Sequence, residues 1–153
     1  MSDDRHPGAG WSAAALRAEM AARETKGLDA EAAARKAEAE RQRAFRIDFL
    51  MHHLSPQEIR HARAAVEAAM RQSAFEALIY SFPSALCTDD GRAINNAEPS
   101  WPGTLQGKAR EVYEAFERHG RPMGFHLKAM IVTFPGGIPG DVGFFLNWAP
   151  PAV

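Results

Sequence analysis

Residues 125–148, FHLKAMIVTFPGGIPGDVGFFLNW, constrain the fold of this chain more than any other stretch. Two segments rich in apolar, β-branched and aromatic residues flank a loop of proline and glycine. That is the pattern of two antiparallel strands joined by a longer hairpin connection. The hairpin is the nucleus of a sheet, and the rest of the chain must supply what extends and covers it. Residues 75–82 supply a further strand, with Leu78, Ile79 and Tyr80 together as in a strand covered on both faces, and Pro83 ends its regular pairing.

Two helices are placed to cover this sheet. Ser55, Pro56 and Glu58 give the sharpest helix start in the chain, with an N-cap hydroxyl, proline at the first position and the capping-box glutamate three residues on. Ile59, Ala62, Val66 and Met70 then make one apolar stripe to about residue 71. A second helix is expected over 104–119, with Leu105, Ala109, Val112 and Phe116 on one face and Gly120 as its C-cap. The stretch between, 84–103, is dense in turn formers. Asp89, Asp90 and Gly91 predict a tight turn, with 86–88 and 92–94 as short strands beside it.

The amino-terminal third has a different character. Residues 1–10 lack the apolar content to order themselves. Residues 11–26 read as a helix begun by Ser12 and closed by Gly27 with Leu28 behind it. Asp29 then caps a second helix rich in Ala, Glu, Lys and Arg, whose charges sit four apart, as in Glu31 and Arg35. Ala30, Ala37, Ala44 and Met51 recur every seven residues, but a seam of alanines with Glu40 at a companion position is a poor coiled coil. Over 45–54 the helix becomes apolar nearly all round, with Ile47, Leu50, Met51 and Leu54 on one side and Phe45 and Phe49 on the other.

The resulting expectation is an α+β fold: a small three- to four-stranded sheet packed by two helices, preceded by a long helical N-terminal extension. The domain plan is a disordered tail at 1–10, a helical extension at 11–54, the α+β domain at 55–149 and a frayed tail at 150–153. A formal net charge of −1 gives no global field toward nucleic acid or an anionic membrane. One cysteine, Cys87, excludes an internal disulfide framework and suits a cytoplasmic protein, and no apolar run approaches the roughly 20 residues that span a bilayer.

The rule that a strand, crossover helix and strand run parallel puts residues 75–82 beside 125–134, pointing the same way. The loop at 87–96, the helix start near Thr104 and the hairpin loop at 135–141 then meet at one sheet end. Ligands favour such ends in open sheets. Asp89, Asp90, Arg92, Asn95, Asn96, Trp101 and Asp141 are the candidate ligand or contact residues there, and Gly107 allows another backbone to come close. Asp and Asn are equally the ordinary residues of tight turns.

His52, His53, His61 and Cys87 match no metal-ligand spacing, and neighbouring histidines on a helix point about 100° apart. Cys87 has Asp89 and Asp90 close by, which disfavours a thiolate. No metal and no cofactor are expected, and no catalytic set stands out. The leading functional reading is a non-enzymatic protein-interaction or regulatory protein that binds a partner or a second copy of itself. Phe45, Phe49 and Leu50 of the arm and the aromatics Phe145 and Trp148 are its contact residues. The alternative is a small-ligand-binding or hydrolytic domain at the sheet end formed by 87–96 and 135–141. A further alternative is nucleic-acid binding through the basic helix 35–46, where Glu38 and Glu40 dilute the field and stacking aromatics are missing.

Overall fold

The computed structural model describes residues 11–152, so the expectation of a disordered 1–10 lies outside the described residues. The protein is α+β. Its elements are α1 (Ala13–Met51), α2 (Pro56–Arg71), β1 (Glu76–Pro83), α3 (Arg92–Asn95), α4 (Gly107–Ala115), β2 (His126–Ile131) and β3 (Asp141–Asn147). Two compact units divide after Phe45, ahead of the boundary expected at 54. Residues 46–54 belong with the sheet because their apolar faces are used there: Phe49 is only 1% exposed and stacks on Phe82 with ring centroids 5.5 Å apart.

In the first unit, Ser12 accepts a hydrogen bond from Ala15 N and opens α1 as expected. The expected break at Gly27 is absent, and one helix runs through it. A glycine ends a helix when it turns left-handed and the next apolar residue folds back onto the last turn. Here Leu28 remains exposed, and the strong helix formers on both sides outweigh the roughly 1 kcal/mol that an interior glycine costs. Gly27→Ala should therefore raise the thermal stability of the helical signal, by up to about 1 kcal/mol. A fall in the circular dichroism melting curve would instead show that Gly27 serves as a cap. Of the described residues to Phe45, all but Ala15 and Ala37 are exposed.

In the second unit the sheet order is β1-β3-β2, antiparallel throughout. This corrects the expected adjacency. Strands β1 and β2 do point the same way, but β3 lies between them. β3 carries the most continuous apolar run, with Val142 and Phe144 fully buried. β2 alternates as HLKAMI, with His126 and Lys128 outward, as a half-covered edge strand should. Ala77, Tyr80, Phe82, Leu127, Ala129, Ile131, Val142, Phe144 and Leu146 occupy the face toward the helices.

On the other face Leu78 and Val132 close over Gly143. A Cβ there would lie 2.9 Å from Leu78 Cδ1 and 2.7 Å from Val132 Cγ1. Lys128 Nζ reaches Glu76 at 3.3 Å on this face. Phe145 and Trp148, expected as exposed contact aromatics, are half-buried: Phe145 shares this face beneath Lys128, and Trp148 meets Phe125 edge-on.

The segments expected as short strands, 86–88 and 92–94, are helical turns instead, over Ser84–Leu86 and Arg92–Asn95. Helix α4 begins three residues later than expected, at Gly107, and passes into a wide turn over Phe116–Gly120. Gly120 stays right-handed and packs on the Phe116 ring, so Gly124, at φ +89°, makes the left-handed exit. Among the described residues no helix is long and apolar enough to cross a membrane.

Candidate functional site

At the end of the sheet where β1 and β2 finish, the hairpin loop is met by Ser84, just ahead of the expected loop at 87–96. Ser84 N donates to Gly140 O at 2.8 Å, and Ser84 Oγ donates to Pro139 O at 3.2 Å. Thr88 N donates to Thr104 O, and Gln106 Nε2 to Leu86 O. The contact survives the wrong strand order because both strands still point the same way. Its polar groups, however, are engaged in holding the loops. Asp89 accepts from Gly91 N through Oδ1 and from Ala93 N through Oδ2, which makes it the cap of the turn leading into α3.

Asp90 is left-handed and exposed, and Arg92, Asn95 and Asn96 are exposed. Trp101 packs its ring on Tyr113 and Phe144, as a core aromatic. Asp141 is the first residue of β3, its N–H donating to Thr133 Oγ1. Burial and, after it, the Asp89 and Asp90 charges push the buried Cys87 thiol up to about 11, far from a nucleophile.

The more concentrated polar chemistry lies where the carboxyl end of α1, the first turns of α2 and α4, and β1 come together. Lys108 is 4% exposed, and its Nζ donates to Asp48 Oδ2 at 2.7 Å and to Glu58 Oε1 at 2.6 Å. Glu58 Oε1 also accepts from Ser55 N while Ser55 Oγ accepts from Glu58 N, so the capping-box glutamate has two tasks. Glu111 Oε2 accepts from Leu54 N at 3.0 Å, tying the α1–α2 connection to α4. A cation in the first turn of a helix is opposed by the helix dipole. Lys108 therefore needs external carboxylates, and that misplacement is the one signal in the sequence that marks it. Its partners lie far away along the chain, so no local spacing points to them.

The electrostatics follow. Burial works to raise the Glu58 carboxyl, but hydrogen bonds from Lys108 and Ser55 outweigh it and leave the carboxyl below its ordinary value. The Asp48 carboxyl is lowered by the hydrogen bond from Lys108 and then by His52. Burial opposes the Lys108 charge, yet Asp48 and Glu58 hold its pKa above the ordinary lysine value. Tyr80 is raised by burial and by repulsion between its phenolate and Glu58, Asp48 and Glu111. It acts as an uncharged hydroxyl at neutral pH.

Two clefts adjoin this hub and share Glu58, Ile79 and Tyr80. One, of about 350 Å³, is lined by Ser55, Gln57, Glu58 and His61 of the α2 start and by residues 78–81 of β1. The other, of about 230 Å³, is mostly apolar and lies among Leu54, Ile59, Ala62, Val112 and Phe116. Among the described residues no cluster of three or more His, Cys, Asp or Glu is set to hold a metal ion. Neither cleft is lined by any residue of the expected sheet-end site.

Comparison with known proteins yields no relative: no family model, no curated protein and no solved structure matches the chain.

Proposed function

We propose that this is a non-enzymatic protein-interaction or regulatory protein of the cytoplasm, which engages a partner protein or a second copy of itself. The observation that carries the reading is α1. From Ala13 to the unit boundary it presents a helix with no buried side chain, with Leu16, Met20 and Leu28 exposed among strongly helix-forming residues. Most helix stability in proteins comes from packing an apolar face, and this arm buries none of its own, so a partner surface would supply that packing. The contact set is narrower than the sequence expectation: Phe49 is core, Leu50 packs against the core and Phe145 and Trp148 are half-buried, so recognition through the arm is assigned to residues before Phe49. The occupied Asp89 carboxylate and the buried thiol of Cys87 also favour this reading over hydrolysis at the sheet end. Nucleic acid is disfavoured by the near-neutral charge and by acidic partners along the basic segment, such as Glu38 on Arg41.

The test is affinity capture with the full chain and with residues 46–153, with self-association followed by sedimentation. A truncation at 55 is unsuitable because it removes Asp48 and Phe49. Loss of a captured partner or of dimerisation in the shorter chain is the expected result. Equal capture by both, with a fully folded shorter chain, sinks the role of the arm.

A further inference from the structure

The backbone phase of the sheet identifies which polar groups of β1 are unused. Trp148 N donates to Phe75 O, and Ser84 N to Gly140 O, so both residues just outside β1 face β3. Alternation then turns Ala77, Tyr80 and Phe82 toward β3 and leaves the main-chain groups of Glu76, Leu78 and Ser81 pointing away from it. The β2 side obeys the same phase, since Val132 N donates to Asp141 O on the opposite edge of β3. Ile79 sits in a bulge where the register shifts. Among the described residues nothing pairs with the outward N–H and C=O groups of Leu78 and Ser81.

These groups lie along the cleft of about 350 Å³, and no β2 or β3 residue lines it, so it follows the outer edge of β1 and not the sheet face. Outward main-chain donors and acceptors spaced as in a strand are met by another extended chain, whereas a helix has its main-chain groups bonded internally. A second copy is a poor occupant, because its own α2 walls its β1 edge in the same way and would meet the α2 of the first. Pro83 has no N–H and the bulge breaks the ladder, so the added strand is short. The hub beside the cleft holds the carboxylates Asp48, Glu58 and Glu111 against the single ammonium of Lys108, an excess of negative charge.

We propose that the edge of β1 over residues 78–81 is a binding site for a short extended peptide of a partner protein, added as a fourth strand and carrying a lysine or arginine toward the hub. This rests on the protein-interaction reading above and assigns it a surface separate from the arm. Main-chain bonds would supply affinity, and the basic side chain and the adjoining apolar cleft would supply selectivity.

The test uses a phage-displayed library of random linear decapeptides selected on the full chain, followed by amide exchange of the isotope-labelled protein with the best peptide. Enrichment of basic, proline-free sequences that slow exchange at Leu78 and Ser81 by about tenfold or more is expected. Ser81→Pro removes one outward donor at an edge position where proline is tolerated, and Gln57→Lys places a like charge on the cleft wall. Each should weaken the peptide by about tenfold or more without altering the melting curve. No enrichment, or protection elsewhere than β1, overturns the proposal. Concentration-dependent protection of the same amides in the chain alone also overturns it, in favour of a second copy. Partner capture by the full chain that survives Ser81→Pro and Gln57→Lys, with the β1 amides unchanged, removes this site and leaves the interaction reading standing.

Discussion

Replacing Gly107 by alanine is expected to destabilise the second unit by about 3–5 kcal/mol, from left-handed strain and overpacking together. Gly107 holds φ +55°, where an L side chain is strained, and a Cβ there would lie 2.2 Å from Phe49 O and 3.0 Å from Leu50 Cα. Those are backbone atoms in the last turns of α1, and neither has a rotamer with which to retreat. The sequence expectation that Gly107 admits another backbone is met, and the visiting backbone is that of α1. Gly103→Ala is the control, since a Cβ at that position meets nothing within 4 Å and its φ is ordinary. Urea titration of the full chain followed by near-ultraviolet signal separates the two. A Gly107→Ala variant as stable as Gly103→Ala would mean that α1 does not dock so closely.

Removing Glu58 should cost more than removing the lysine it holds. Glu58→Ala leaves Lys108 almost fully buried with Asp48 alone and also dissolves the capping box, a loss of about 3 kcal/mol. Lys108→Met is expected to cost only about 1 kcal/mol. Methionine fills a similar volume, and the Asp48 and Glu58 side chains, 52% and 29% exposed, can turn to water. The reverse order would show that the hub draws its strength from the ammonium and not from the cap.

The hub also sets a pH window. Both carboxyls are lowered from ordinary values of 3.8 and 4.5, so their contribution is complete above those values and fades as pH falls through the lowered ones. Lys108 is raised from 10.5, so its contribution is complete below that pH and fades as pH rises through the raised value. Lys108→Met should flatten both limbs of a stability-against-pH curve, and an unchanged acid limb would remove the hub as its cause.

What could be read in the sequence was local. Ser55, Pro56 and Glu58 specify a helix start within four residues, and all parts of that box form. The β-hairpin needed only its own two apolar runs and its turn residues. Gly27 was misread because a glycine before a leucine satisfies the composition of a cap without its left-handed geometry. The strand order was missed through the crossover rule, although Lys128 and His126 in β2 against the unbroken GFFL of β3 already distinguish an edge from a centre. The Lys108 hub was least legible, because Asp48, Glu58 and Lys108 come from three helices and no periodicity relates them. Asp89 is legible as a turn former, and its carboxylate accepts from Gly91 N and Ala93 N of its own loop.

The order β1-β3-β2 has a consequence for synthesis. The central strand is the last of the three to be translated, and neither β1 nor β2 has a partner in the sheet until it appears. At about 5–20 residues per second, β3 is complete roughly 3–13 s after β1, and until then Leu78, Ile79, Tyr80 and Phe82 have no sheet partner. The bulge at Ile79 and the proline at 83 interrupt the very segment that would otherwise template aggregation between nascent chains during that interval.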